Sequence, residues 1–244
     1  MGMPITIEVV DTRVKEGDIA SIFDYFASVD RVFSTYRKDS EISRLNAGEI
    51  TKKDLSPDVR QIMQLADDTK KESNGYFNLA HNGLIDPSGI VKGWAIYNAS
   101  ILLKEHGFLD FYIDAGGDIQ VSGKNAMGET WTIGIKNPFK QDEIVKIVRL
   151  ENKGIATSGQ YIRGNHIYDP HKPDVPITDI ASMTVIGPTV YDADRFATAA
   201  FAMGIKGIQF IEKLPGYHGY MIDPKGIATM TSRFSRFVIE NAAN

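Results

Sequence analysis

The 244-residue chain contains no cysteine. That absence excludes disulfides, thiolate metal sites and a cysteine nucleophile together, and it leaves the redox compartment open. Histidine is scarce: the five are at 81, 106, 166, 171 and 218, with no close pair of the kind that binds zinc. No apolar run approaches the length needed to span a bilayer. The start, Met1-Gly2-Met3-Pro4-Ile5-Thr6-Ile7-Glu8-Val9-Val10, lacks the basic region, apolar stretch and small-residue cleavage site of a signal peptide. A basic stripe is missing too, and a net charge of −4 gives no expectation of a nucleic-acid partner. Repeats, low-complexity tracts and Pro/Ser-rich linkers are absent, so no boundary divides the sequence.

What is present is an ordinary globular balance, 43% hydrophobic and 24% charged, in a chain long enough for one substantial core. Ile5, Ile7 and Val9 alternate with polar neighbours and predict a strand over 4–11. Ile19, Ile22, Phe23, Phe26, Val29 and Phe33 recur at helical spacing and predict a helix over 16–33. The segment 34–53 is polar, rich in Ser, Asn, Arg and Asp and poor in core residues. Ser56-Pro57 opens a second helix, with Ser56 as N-cap and Val59, Ile62, Met63, Leu65 and Ala66 as its apolar stripe. Asn74-Gly75 is a turn, and 75–93 reads as having little regular structure. A third helix is expected from Gly93 to His106, closed by Gly107. Strands are expected over 109–114, 118–122, 130–136, 143–150 and 182–187, then helices over 190–203 and 205–213, and two or three strands in 217–239. The order predicts an α+β fold: one domain over 1–244, its mixed or antiparallel sheet covered by helices.

Three stretches carry the candidate chemistry. Ala156-Thr157-Ser158-Gly159 reads as a polar backbone turn, His166-Ile167-Tyr168-Asp169-Pro170 offers a base or acid, and Ala193-Asp194-Arg195-Phe196-Ala197-Thr198 offers two hard oxygen donors. Asp194 and Thr198 stand four apart on a helix, so both project from one face. There a carboxylate and a hydroxyl can share a cation such as magnesium; a solvent-facing Asp beside a methyl-packed Thr is the plainer alternative. Asp86-Pro87-Ser88-Gly89-Ile90-Val91-Lys92-Gly93 is a turn leading into a helix start, where free amides and Lys92 favour an anion, though an ordinary connection has the same look. Asp114-Ala115-Gly116-Gly117-Asp118 fits a hairpin turn or a backbone pressed against a ligand. Together these suit a metal-assisted reaction on a phosphate-containing ligand.

In their combined order these residues resemble the FAD:protein FMN transferases, the ApbE-type flavin transferases. Seven ordered blocks carry the resemblance, from Phe33 to Asn46 and Gly75-Tyr76-Phe77 through to Ala193–Thr198. It implies an ApbE-like α+β fold, FAD as substrate and magnesium as cofactor. The implied reaction cleaves FAD, attaches FMN by a phosphoester to a Thr or Ser of an acceptor flavoprotein, and releases AMP. Hydrolysis of FAD to FMN and AMP, or FAD binding without catalysis, are the alternatives. Carried over by position, the resemblance assigns Asp194, Thr198 and the carbonyl of Gly89 to the metal. It places Met1, Tyr36, Tyr76, Phe77, Asn78, Asp86, Lys92, Ser158, Gly159 and Asn165 at the FAD, and gives His166 the catalytic proton transfer. Asn78 departs from the family pattern, where an Asp follows the Phe, as does the Asp169-Pro170-His171-Lys172-Pro173 stretch. The absence of a leader or lipobox gives the expectation of a cytoplasmic protein without a membrane anchor.

Overall fold

The computed structural model describes residues 2–140, 142–159 and 167–239. Strand β1 (Ile5–Val9) follows from the alternation at its start, and α1 (Glu16–Phe33) covers the predicted span, burying Ile22, Phe26, Val29 and Phe33. The polar segment 34–53 holds a short helix, α2 (Glu41–Asn46), and a 3-10 turn at Lys52–Asp54. Six residues are too few to show a helical period, and the signal that does exist is a cap. The buried Ser40 hydroxyl accepts the Ser43 amide at 3.0 Å. Helix α3 (Pro57–Glu72) begins at the predicted cap, Ser56.

Strands β2 (Ala80–His81) and β3 (Leu84–Ile85) pair across Asn82 and Gly83, which sit at φ 51° and 78°. Both positive angles are what a tight two-residue hairpin requires. Helix α4 (Ser88–Glu105) then starts more than a turn before the expected Gly93, so the reading of 75–93 as having little regular structure holds over 75–79 and is corrected from β2 onward. Its apolar residues, among them Ile90, Val91, Trp94, Ala95, Ile96 and Leu103, lie on all sides, which removes the periodicity that would mark its start.

Strands β4 (Phe111–Ala115) and β5 (Asp118–Ser122) join through Gly116 and Gly117 at φ 64° and 94°, as the hairpin reading predicts. Strands β6 (Trp131–Lys136) and β7 (Ile144–Leu150) form a separate hairpin. Strand β8 (Gly154–Gly159) is the main correction, because Ala156–Gly159 is a strand and not a turn. Its small residues lie in mid-sheet under α5, where a Cβ at Gly154 would overlap the Val190 backbone. Strand β9 (Ser182–Gly187), α5 (Val190–Ala202), a 3-10 turn and α6 (Gly207–Lys213) follow near their expected spans. The chain closes with β10 (His218–Ile222), β11 (Ala228–Met230) and a 3-10 turn at Phe234–Phe237.

The central sheet runs β1-β4-β5-β8-β9-β10-β11, and every neighbouring pair is antiparallel. Helices cover one face. Phe111 and Ile113 pack with α1, α3 and α4, while Met183, Val185 and Met221 pack with α5 and α6. The β6–β7 hairpin covers the other face, where Ile119, Val121, Ile155, Ile186 and Ile222 meet Trp131, Ile133, Val148 and Leu150. Each fully buried large side chain contributes about 1.5–3 kcal/mol to holding these layers together. The sheet is therefore a middle layer, and α4 and α5 lie side by side on it.

Candidate functional site

Thr189 caps α5 by accepting the Asp192 amide at 3.1 Å, which fixes the start of the helix and the rotation of its faces. The face turned to α4 carries Asp194, 4% exposed. Close approach of the two helices depends on Gly93: a Cβ there would lie 2.7 Å from the Asp194 Cβ and 2.8 Å from the Val190 carbonyl oxygen. One turn earlier, a Cβ on Gly89 would lie 3.1 Å from Thr198 Cγ2 and 3.6 Å from its hydroxyl. The two glycines of α4 thus set its backbone directly against Asp194 and Thr198 of α5.

Gly93 donates its amide to Asp194 Oδ2 at 2.8 Å. A regular helix aims that amide at the Gly89 carbonyl, so Asp194 draws on the donor that this carbonyl would otherwise have. The Thr198 hydroxyl lies 3.3 Å from the Ser158 hydroxyl at the end of β8. Three hard oxygen donors, the Asp194 carboxylate, the Thr198 hydroxyl and the Gly89 carbonyl, therefore come from adjoining turns of α4 and α5. Among the described residues no three His, Cys, Asp or Glu side chains are grouped to hold a metal. Any cation here has to be taken by one carboxylate with neutral oxygens, a set that suits a hard ion.

Lys92 stands between two carboxylates, its Nζ 2.6 Å from Asp118 Oδ2 and 4.0 Å from Asp194 Oδ1. Burial pushes the Asp194 carboxyl well above the ordinary carboxylate range; the Lys92 charge opposes this and the neighbouring Asp118 adds to it. Asp118 is 1% exposed and also accepts the Thr157 amide at 3.1 Å. The Thr157 and Thr184 hydroxyls pair at 2.8 Å beside it, each answering the other.

Above these groups opens a cleft of about 760 Å³. Asp86, Gly89, Lys92, Ser158, Asp194 and Thr198 line it, as do Tyr76, Phe77, Asn78 and Gly159. Asp86 accepts the Ser88 amide at 2.9 Å and so shapes the start of α4. Asn78 accepts the Ala80 amide at 3.2 Å, a turn contact that a neutral side chain makes well. Tyr76 packs edge-on against His171, ring centroids 4.6 Å apart, and His171 hydrogen-bonds the Asn74 carbonyl at 3.0 Å. Tyr168 donates to the Ala80 carbonyl at 2.8 Å. The stretch around Pro170-His171 is thereby docked on the loop that leads into β2.

Of the residues expected at the site, Tyr36 is 95% exposed and is not on the cleft wall. Met1, Asn165 and His166 lie outside the described residues. The others converge on the one cleft. Sequence reasoning did not assign a role to Asp118, which is buried beside Lys92 without lining the cleft, nor to Lys136 and Met3, which line it. For Asp118 a signal exists: in β5 the polar Asp118 and Gln120 alternate with Ile119 and Val121, yet all four are buried. A buried polar row needs partners, and these are at the site.

A family model described as the ApbE family matches residues 1–85 and 80–221. The FAD:protein FMN transferase of Salmonella typhimurium is 28% identical over 169 residues, covering 64% of this chain and 48% of that protein. That of Haemophilus influenzae is 32% identical over 158 residues, covering 60% and 45%. The chain spans about half the length of the curated relatives it matches. Among solved structures, the flavin transferase ApbE of Vibrio cholerae superimposes with a TM-score of 0.83 at 23% identity, covering 97% of this chain and 96% of that one. The ApbE protein of Thermotoga maritima gives 0.85 at 20% identity, covering 98% and 97%. At these identities the structural likeness is one of fold. Among the described residues no helix is long and apolar enough to cross a membrane.

Proposed function

We propose, on the premise that this chain belongs to the ApbE family, that it is a magnesium-dependent FAD:protein FMN transferase. What supports this is the convergence of Gly89, Lys92, Ser158, Asp194 and Thr198, from α4, β8 and α5, on one cleft that Tyr76 and Phe77 also line. The cleft is lined by three carboxylates, Asp86, Asp114 and Asp194, against two ammonium groups, Lys92 and Lys136. A dinucleotide diphosphate adds further negative charge, so its binding there calls for a divalent cation.

Asp194, Thr198 and the Gly89 carbonyl would hold that cation, which would supply neutralisation of negative charge on the diphosphate oxygens. Lys92 orients the diphosphate, and Tyr76 offers a face for a ring of the substrate. His166 takes the proton from the acceptor hydroxyl. That oxygen bonds to the phosphorus on the FMN side, the bond from this phosphorus to the bridging oxygen breaks, and AMP leaves with the electron pair. An acceptor flavoprotein supplies the Thr or Ser; with water in its place the same residues give an FAD pyrophosphatase.

The test is incubation with FAD, MgCl2 and an acceptor flavoprotein, followed by intact mass measurement and AMP assay. An FMN-sized adduct with matching AMP is expected. Free FMN and AMP without an adduct would assign the hydrolase instead, and tight FAD binding without AMP would overturn catalysis altogether.

A further inference from the structure

Two turns at the cleft end of the sheet hold large apolar side chains out in solvent. The first joins β6 to β7. Asn137 donates its amide to the Glu143 carbonyl at 2.8 Å, its side chain accepts the Phe139 amide at 2.9 Å, and Lys140 pairs with Glu143 at 2.8 Å. Phe139 tops this turn, 53% exposed. The second joins β10 to β11. There Asp223 Oδ1 accepts the amides of Lys225 and Ile227, each at 2.8 Å, and Gly226 supplies a positive φ of 81°. Ile227 stands next to it, 60% exposed. The two turns meet, since a Cβ on Gly226 would lie 4.0 Å from the Phe139 ring. Polar side chains and glycine already shape both turns, so the exposed Phe139 and Ile227 add little to the fold. An apolar pair held out on adjoining tips suits contact with another molecule.

Their position says which molecule. Gly159, on the cleft wall, stands opposite Ser182, Ser182 opposite Ile222, and Ile222 opposite Ala228, the neighbour of Ile227. Three strand spacings, roughly 14 Å, separate the ends of that row. Lys136 leads into the Phe139 turn and itself lines the cleft; it forms no ion pair among the described residues, whereas Lys140 is paired within the turn. A protein interface of ordinary size, about 800 Å² on each side, is broad enough to cover the cleft mouth and both tips at once. We infer that these tips are the docking surface for the acceptor flavoprotein: Phe139 and Ile227 pack into an apolar depression on it, and Lys136 takes one of its carboxylates. The acceptor hydroxyl is thereby held over the cleft. The inference rests on the transfer reading proposed above, because a hydrolase that uses water needs no such surface.

The test uses the full chain and the acceptor that takes up the adduct in the experiment above, titrated at saturating FAD and MgCl2. Initial rates of adduct formation give kcat and the KM for the acceptor separately. Phe139→Ser and Ile227→Ser are each expected to raise that KM about tenfold or more, as loss of an interface anchor does. The kcat, and the FAD affinity read by fluorescence titration, stay at wild-type values. Both side chains lie outside the buried layers, so neither substitution removes a core contact. Met127→Ser is the matched control. It removes an apolar side chain 78% exposed in the β5–β6 connection, at the other end of the sheet, and the wild-type KM is expected. An unchanged acceptor KM in either tip variant, or an equal rise in Met127→Ser, overturns the inference while the transfer reading stands. A wild type that gives free FMN and AMP with no adduct on any acceptor overturns the transfer reading, and the inference with it.

Discussion

Strand β5 shows two kinds of buried surface within five residues. Ile119 and Val121 enter the layer under the β6–β7 hairpin, among Trp131, Ile133, Val148 and Leu150. Asp118 and Gln120 face the other way, under α4 and α5. There Gln120 accepts the Val190 amide at 2.8 Å and Asp118 engages Lys92. The first face is stabilised by the area it removes from water, and any apolar side chain of similar volume would serve. The second is held by specific partners, and each replacement leaves a named group unpaired. The layer that tolerates repacking builds the platform, and the partnered layer holds the side chains that meet at the cleft.

The sharpest separation of the two faces comes from one variant on each. Asp194→Asn removes the charged donor from the cleft, and the rate of FMN adduct formation is expected to fall by several kcal/mol in barrier, on the order of 10²–10³-fold. Its thermal stability, read by calorimetry, stays near wild type. Ile133→Ala, at a side chain 4% exposed on the apolar face, reverses the pattern. It costs about 2–5 kcal/mol in denaturant unfolding, with the FAD affinity of the folded fraction unchanged by fluorescence titration.

A smaller effect probes the seam between α4 and α5. Gly93→Ala puts a methyl group 2.7 Å from Asp194 Cβ and 2.8 Å from a backbone oxygen that cannot turn away. Overpacking of this kind costs about 1–3 kcal/mol, and here it also separates Gly89 from Thr198, so stability and activity fall together. Thr157→Val leaves the Thr184 hydroxyl without its 2.8 Å partner. A loss of about 1–3 kcal/mol is expected, and most of it is recovered in the double variant with Thr184→Val, since removing both partners leaves nothing unpaired.

The smallest effect lies at the rim of the apolar face, where His218 packs on Phe237 with ring centroids 4.9 Å apart. Burial holds His218 below the usual histidine range, and the charges of Arg236, Lys153 and Arg233 act in the same direction. A lowered value in the folded state means that the unfolded chain binds the proton more readily. Stability from this group is present above the ordinary histidine value and is lost as pH falls through the folded one. Melting from about pH 7 to about pH 5 should therefore decline less steeply in His218→Gln than in wild type.

The same contrast explains what could be read from the sequence. Helix α1 was legible to the residue because Ile22, Phe26, Val29 and Phe33 repeat at helical spacing against a polar far side. The β4–β5 turn was legible because only glycine accepts two successive positive φ angles so readily. Strand β8 was not: Ala156, Thr157, Ser158 and Gly159 are small and mostly polar because α5 presses on them, and that composition has the look of a turn. The early start of α4 was hidden for a related reason, since Gly89 and Gly93 read as a loop until Thr198 and Asp194 are seen against them. The Asp194–Thr198 pair stood out by its spacing; Asp118 did not, because its partners Lys92 and Thr157 are 26 and 39 residues away in sequence.

On the proposed reading, Thr198 and Asp194 hold a divalent cation on which FAD cleavage depends. Its most direct measurement is the rate of AMP release against Mg2+ concentration, for wild type and for Thr198→Val, which keeps the side-chain shape and the methyl contact with Gly89. No turnover of the wild type is expected in EDTA, and the half-saturating Mg2+ concentration is expected to rise about tenfold or more in the variant. Turnover that persists in EDTA, or identical Mg2+ dependence in the two proteins, would contradict it.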